Sequence, residues 1–158
     1  MNRSMTQILA MSLLVASATL AAQTQTAKPS FTGTWKLTSD PSAGMFVSSQ
    51  LVASDDGKVM TVAATSQMGE SKTIYNLDGS VAKSPLEFGG NTIDRTTKAA
   101  WDGAKLVLTT TTDFGGMTFE IKQVWSLGTD GTLAVDTTAP DFQGGGAPTT
   151  IKSTYKKG

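Results

Sequence analysis

Four Asp-Gly pairs, Asp56-Gly57, Asp78-Gly79, Asp102-Gly103 and Asp130-Gly131, divide this chain at nearly even intervals. Asp-Gly supplies the positive φ angles that tight hairpins demand, so each pair predicts a reversal of the chain. Between one pair and the next there is room for two strands and one further connection. Strand directions then alternate, and all four Asp-Gly turns fall at the same end, end A. The other connections share the opposite end, end B: "DPSAG" (40–44), "SQMGE" (66–70), "EFGG" (87–90), "DFGG" (113–116) and "DFQGGGAP" (141–148). The recurring acid-Phe-Gly stretches are thus successive end-B loops of one meander.

The segments between these turns are rich in Thr, Val, Ile, Leu and aromatics, and none carries a sustained 3.6-residue period. They predict an all-β domain, an up-and-down antiparallel β-barrel of about eight to ten strands. The expected strands are 31–38, 45–53, 58–65, 71–77, 80–86, 91–101, 104–112, 117–126, 132–138 and 149–156. Segment 80–86 is the weakest, because Pro85 cannot donate a ladder hydrogen bond. Residues 98–116 and 122–145 share Lys-x-x-Trp, Asp-Gly, an aliphatic pair, Thr-Thr and Asp-Phe. Each copy reads as a hairpin with Trp near end A and Phe at end B, whether by duplication or by convergent turn chemistry.

Before this domain, Arg3 precedes an apolar run, Ile8 to Leu20, that ends in the small residues of "TLAAQ". The run is shorter than the roughly 20 residues of a membrane-spanning helix. It has the layout of a secretory signal, residues 1–22, with no membrane anchor left after cleavage. Residues 23–30 are polar and read as a flexible leader, and 31–158 as a single barrel domain. A secreted or periplasmic monomer is expected. Without Cys the chain has no disulfide and no lipid-anchor cysteine.

Composition closes off several functions. Apart from Arg3, acidic residues outnumber basic ones by one, and Arg95 is the only other arginine, so no nucleic-acid partner is expected. With neither His nor Cys, the usual metal ligands and nucleophile–base pairs cannot be built. The acids come singly from separate loops, with no Asp-x-Asp-x-Asp run to hold calcium. The expectation is no enzyme, no cofactor and no metal.

Trp35 on the first strand, and Trp101 and Trp125 at the ends of strands running toward end A, would close that end as a floor. "FTGTWKL" (31–37) places Gly33 two residues before Trp35. Together with "WDGAKLVLTT" and a Lys-x-x-Trp-x-Leu strand before an Asp-Gly turn, the run over 31–156 resembles small secreted bacterial β-barrels of the lipocalin-like, calycin type. The resemblance implies a barrel closed at the Trp end and open at the other. Lipocalins usually set an arginine near the C-terminus against that Trp; here Lys152, Lys156 and Lys157 are available. Ten strands would match the number in fatty-acid-binding barrels, and avidin-type barrels share a "GTW" start.

End B would then be a rim carrying Phe46, Met68, Phe88, Asp113, Phe114, Met117 and Phe142, suited to a small apolar or amphiphilic molecule, a cation or a sugar. The other outcome is that these Phe side chains fold inward and cap the core. Period-2 alternation puts Arg95 on the same face as Trp101, inside the half nearer end B. There it could anchor an acidic head group, as inward arginines do in fatty-acid-binding barrels; alternatively it joins an internal salt bridge or is turned out by a bulge. Two functions stay open: a carrier or sensor of a small amphiphilic molecule, and a structural or interaction domain with a side-chain-filled barrel.

Overall fold

The computed structural model describes residues 27–39, 46–141 and 145–158, and among them every regular element is a strand. Chain order gives β1 (Gly33–Leu37), β2 (Gln50–Asp55), β3 (Val59–Ser66) and β4 (Gly69–Asn76). The middle carries β5 (Ala82–Lys83), β6 (Leu86–Phe88), β7 (Asn91–Ile93) and β8 (Arg95–Asp102). Last come β9 (Lys105–Phe114), β10 (Met117–Leu127), β11 (Leu133–Ala139) and β12 (Thr149–Lys157). Ten strands form one antiparallel sheet in the order β4-β3-β2-β1-β12-β11-β10-β9-β8-β5, nearly closed into an up-and-down barrel. The first and last strands pair, with Trp35 opposite Lys157.

The strand directions put all four Asp-Gly turns at end A, but the two residues divide the labour differently from the expectation. No described residue other than glycine has positive φ; Gly57, Gly79, Gly103 and Gly131 carry it at 82°, 86°, 59° and 77°. The aspartates at three of the turns act through their carboxylates. Asp56 accepts from the backbone N–H of Val59 and Lys58 (2.7 and 2.9 Å), Asp78 from the N–H and hydroxyl of Ser80, and Asp130 from those of Thr132. These bonds hold all three carboxyls below their ordinary pKa.

Alternation sorts the interior. Along β11, Leu133, Val135, Thr137 and Ala139 point inward and are buried, while the residues between them are half-buried. The inward set is apolar toward end A, with Trp35, Met60, Leu106, Leu108, Trp125 and Leu133 all at 3 % exposure or less. Toward end B it turns polar, through Thr73, Arg95, Thr97, Thr112, Thr137 and Ser153. Burying a Leu or Met side chain contributes about 1.5–3 kcal/mol, so most of the stability of the barrel resides in its lower half.

Phe31, expected to open the first strand, instead precedes β1 and fills the floor. Its ring stacks on Trp101 at 6.1 Å and meets Trp125 edge-on at 5.8 Å, and its carbonyl accepts the Trp35 indole N–H at 2.8 Å. Gly33 has φ 143°, and a Cβ there would lie 2.8 Å from Lys157 Cε. That gap lets the lysine stem cross and set its amine 5.6 Å from the Trp35 ring centroid, so the Gly-x-Trp spacing has a steric cause. Lys28, within the expected leader, lies 5.2 Å from the Trp101 centroid.

Two expected strands are broken. Segments 80–86 and 91–101 each split, into β5 and β6 and into β7 and β8, at Pro85 and Asp94. Pro85 has no N–H to continue the ladder. The register nevertheless persists through the break: Ala82 opposite Thr97, Ser84 N–H donating to the Arg95 carbonyl (2.9 Å), Leu86 opposite Ile93, Phe88 opposite Asn91. It is one long hairpin whose outer half, β6–β7, forms its own two-stranded sheet at end B. The expected strand 45–53 begins only at Gln50.

Candidate functional site

The barrel's seam lies between the sheet's two edge strands, β4 and the two-residue β5 that pairs with β8, and no backbone ladder joins β4 to β5 or β8. Polar side chains from the long hairpin replace it. Ser84 Oγ accepts the Ile74 N–H at 3.1 Å, Thr97 Oγ1 donates to the Ile74 carbonyl, and Arg95 Nη2 donates to the Lys72 carbonyl at 2.6 Å. Arg95 Nε also donates to the Ser84 carbonyl at 2.7 Å, and Nη2 to Ser84 Oγ at 3.3 Å. The guanidinium is buried, as alternation from Trp101 requires, and its partners are carbonyl and hydroxyl oxygens rather than a carboxylate. Burial lowers its pKa from the ordinary arginine value.

Above the seam, two hairpin tips of the same chemistry stand side by side. In "EFGG" the turn between β6 and β7 has Gly89 at φ 59° and Gly90 at 79°; in "DFGG" the turn between β9 and β10 has Gly115 at 63° and Gly116 at 99°. Two successive positive φ angles define a turn that side-chain-bearing residues adopt only with strain, which is why a Gly pair follows each Phe. Asp113 Oδ1 accepts the Gly116 N–H at 2.7 Å and fixes the second tip. Thr92 donates to Glu87 at 2.7 Å across the first.

Between the tips lies an open cleft of about 520 Å³, walled by Phe88, residues 91–94, Asp113, Phe114, Gly115 and Gly116. Phe88 is 52 % exposed and Phe114 40 %, and Phe114 is held edge-on by Phe119 at 5.8 Å. The structure thus brings Phe88, Asp113 and Phe114 together; Met117, opposite Phe114 in the ladder and exposed, does not line the cleft. Arg95 lies at the seam, one residue along the strand from the cleft wall at Asp94. Phe46, half-buried between β1 and β2, and Met68, exposed at the β3–β4 turn, do not line the cleft. Phe142 lies outside the described residues.

Asp94 was not among the residues expected at the rim. Its carbonyl accepts the Asp113 N–H at 2.9 Å, continuing the ladder in which Arg95 faces Thr112. The signal was present: counting back from the Asp102–Lys105 pair of the tight turn sets residue 94 opposite 113.

At end A, a smaller recess of about 220 Å³ opens beside the half-buried Trp101, with Phe31, Met60, Leu77 and Leu106 among its walls. Lys28 also lines it, with its amine over the Trp101 ring. No protein-family model matches the chain, and no curated protein is significantly similar to it.

Proposed function

We propose that this protein is a non-enzymatic, extracytoplasmic barrel of lipocalin-like type that binds a small amphiphilic or hydrophobic molecule at end B. One observation carries the reading: two largely exposed phenylalanines, on hairpin tips of identical Phe-Gly-Gly design, face a shared cleft at the end opposite the tryptophan floor. Loops on a rigid scaffold are favoured binding positions, and glycine backbones allow close approach of a ligand. The absence of His and Cys from the sequence supports binding over catalysis, and the secretory layout of residues 1–22 supports an extracytoplasmic site.

A second reading, a structural or interaction domain with a filled interior, is favoured by Arg95. Its guanidinium is engaged by main-chain oxygens at the seam rather than turned toward a ligand head group. Titration with the neutral fluorophore N-phenyl-1-naphthylamine separates the two. The binding reading expects saturable enhancement that Phe114→Ala weakens at least threefold while moving the unfolding midpoint little, because the ring is already 40 % exposed. No saturable signal in the wild type, with Phe114→Ala costing the roughly 3–5 kcal/mol of a buried Phe, would leave the filled-barrel reading standing.

A further inference from the structure

Resting on the end-B reading, we infer that the β6–β7 hairpin is a flap, jointed at Pro85 and Asp94, that swings over the mouth and closes on the apolar body of the ligand. Below the joint the hairpin is fastened on both sides. Ser84 and Arg95 are buried, the β8–β9 ladder holds one strand from Arg95 downward, and Ser84 Oγ and the guanidinium bond to the main chain of β4. Above the joint both fastenings stop. The last backbone bond toward β9 is the Asp113 N–H to the Asp94 carbonyl at 2.9 Å. On the other side, Ser84 turns its N–H to Arg95, so position 85 points toward β4, and Pro85 has no donor to offer there. Among the described residues, the hydrogen bonds of 86–93 are internal: the Leu86–Ile93 and Phe88–Asn91 pairs, Thr92 to Glu87, and Asn91 to the Gly89 carbonyl. The segment is a two-stranded ribbon held at its base, and such a ribbon is marginally stable alone.

Its two faces differ. Alternation from the buried Ser84 and Arg95 turns Leu86, Phe88 and Ile93 to the mouth side, and Glu87 and Thr92 outward. The same count from the buried Thr112 turns Phe114 to the mouth side of the neighbouring tip. Leu86 and Ile93 are only half-buried and Phe88 is 52 % exposed, so the apolar face of the ribbon is incompletely covered while the cleft beside it stands open. A ligand seated against Phe114 supplies the missing cover, and the ribbon gains a packing partner only when it closes. Entry and release at end B then follow the motion of the ribbon.

Two measurements test this with N-phenyl-1-naphthylamine as the probe. Backbone amide relaxation by NMR should show residues 86–93 mobile on the ns–ms range in the free protein and stiffened by saturating probe to the level of 96–101. The second uses a shortened chain in which Asn-Gly joins Ser84 directly to Arg95, a hydrogen-bonded pair of the kind that Gly89-Gly90 closes now. It should keep nearly the wild-type unfolding midpoint, because the ribbon is fastened only at its base. Burying about 60 Å² of apolar surface is worth about tenfold in affinity, so the shortened chain should bind the probe about tenfold more weakly and release it faster. Amides of 86–93 as rigid in the free protein as in the bound one would make the ribbon a fixed wall and overturn the inference, whether or not the shortened chain folds. A folded shortened chain with unaltered probe affinity, while Phe114→Ala still weakens binding, would overturn the flap and leave the end-B site in place. No saturable binding by the wild type would overturn both.

Discussion

Replacing Arg95 with Leu tests whether side chains hold the barrel's seam closed. The guanidinium makes three hydrogen bonds, to the Ser84 carbonyl at 2.7 Å, the Lys72 carbonyl at 2.6 Å and Ser84 Oγ at 3.3 Å. Hydrogen bonds from a charged donor are worth about 1.5–3 kcal/mol each, and a buried carbonyl left unsatisfied costs about 1–3 kcal/mol. Leucine recovers part of this through apolar burial, and the desolvation of the guanidinium no longer has to be met. A net loss of about 2–4 kcal/mol follows, corresponding to a fall in Tm of roughly 5–20 °C for a domain of this size. Urea unfolding measures the loss directly. Amide exchange localises it, because the Ile74 N–H, bonded to Ser84 Oγ, should lose protection before the amides of β10 and β11. Arg95→Lys should recover only part of the stability, since a single ammonium cannot reproduce the fork that bridges Ser84 and Lys72. A change below about 0.5 kcal/mol in Arg95→Leu, with unaltered exchange at Ile74, would refute the side-chain seam.

The Gly33–Lys157–Trp35 arrangement predicts that Gly33→Ala costs about 1–3 kcal/mol through its backbone angle. Lys157→Ala should cost about 0.5–1 kcal/mol, and a double-mutant cycle should show coupling, since the new Cβ displaces the same lysine. At the hairpin tips, Gly90→Ala or Gly116→Ala meets no neighbouring atom, yet each should lower stability through positive φ alone, by about 1 kcal/mol in chemical denaturation. For acid unfolding, Asp56, Asp78 and Asp130 have folded pKa values below the ordinary 3.8. Their contribution is therefore fully present above about pH 4 and is lost as pH falls through the folded values. Asn at all three positions should flatten that acid limb; an unchanged slope below pH 4 would contradict the assignment.

Alternation made the ends of the barrel legible. Once the Asp-Gly pairs were read as turns, strand direction fixed which loops share an end, and period-2 counting from Trp101 fixed the face of Arg95. The partners of Arg95 were not legible, because they depend on which two strands become the barrel's edges. That is decided by the pairing of β1 with β12 and by Pro85 interrupting the hairpin beside β4. Phe31 was read as a strand residue because its sequence position gives no sign that its carbonyl would be the partner of the Trp35 indole. The Asp-Gly turns look alike in sequence. Only the structure separates the glycine's backbone angle from the carboxylate bonds that Asp56, Asp78 and Asp130 make to the chain ahead. The cleft was half legible: the Phe-Gly-Gly tips announced themselves, but Asp94 entered through a register that had to be counted across a broken strand.

The central claim is that a ligand sits at end B, between the tips, and not at the tryptophan floor. Paramagnetic broadening by a short alkyl nitroxide tests it most directly, with glycine amides as reporters at both ends of the barrel. The account predicts that Gly89, Gly90, Gly115 and Gly116 lose intensity while Gly57, Gly79, Gly103 and Gly131 stay sharp. Selective broadening of the second set, or equal broadening of both, would contradict it.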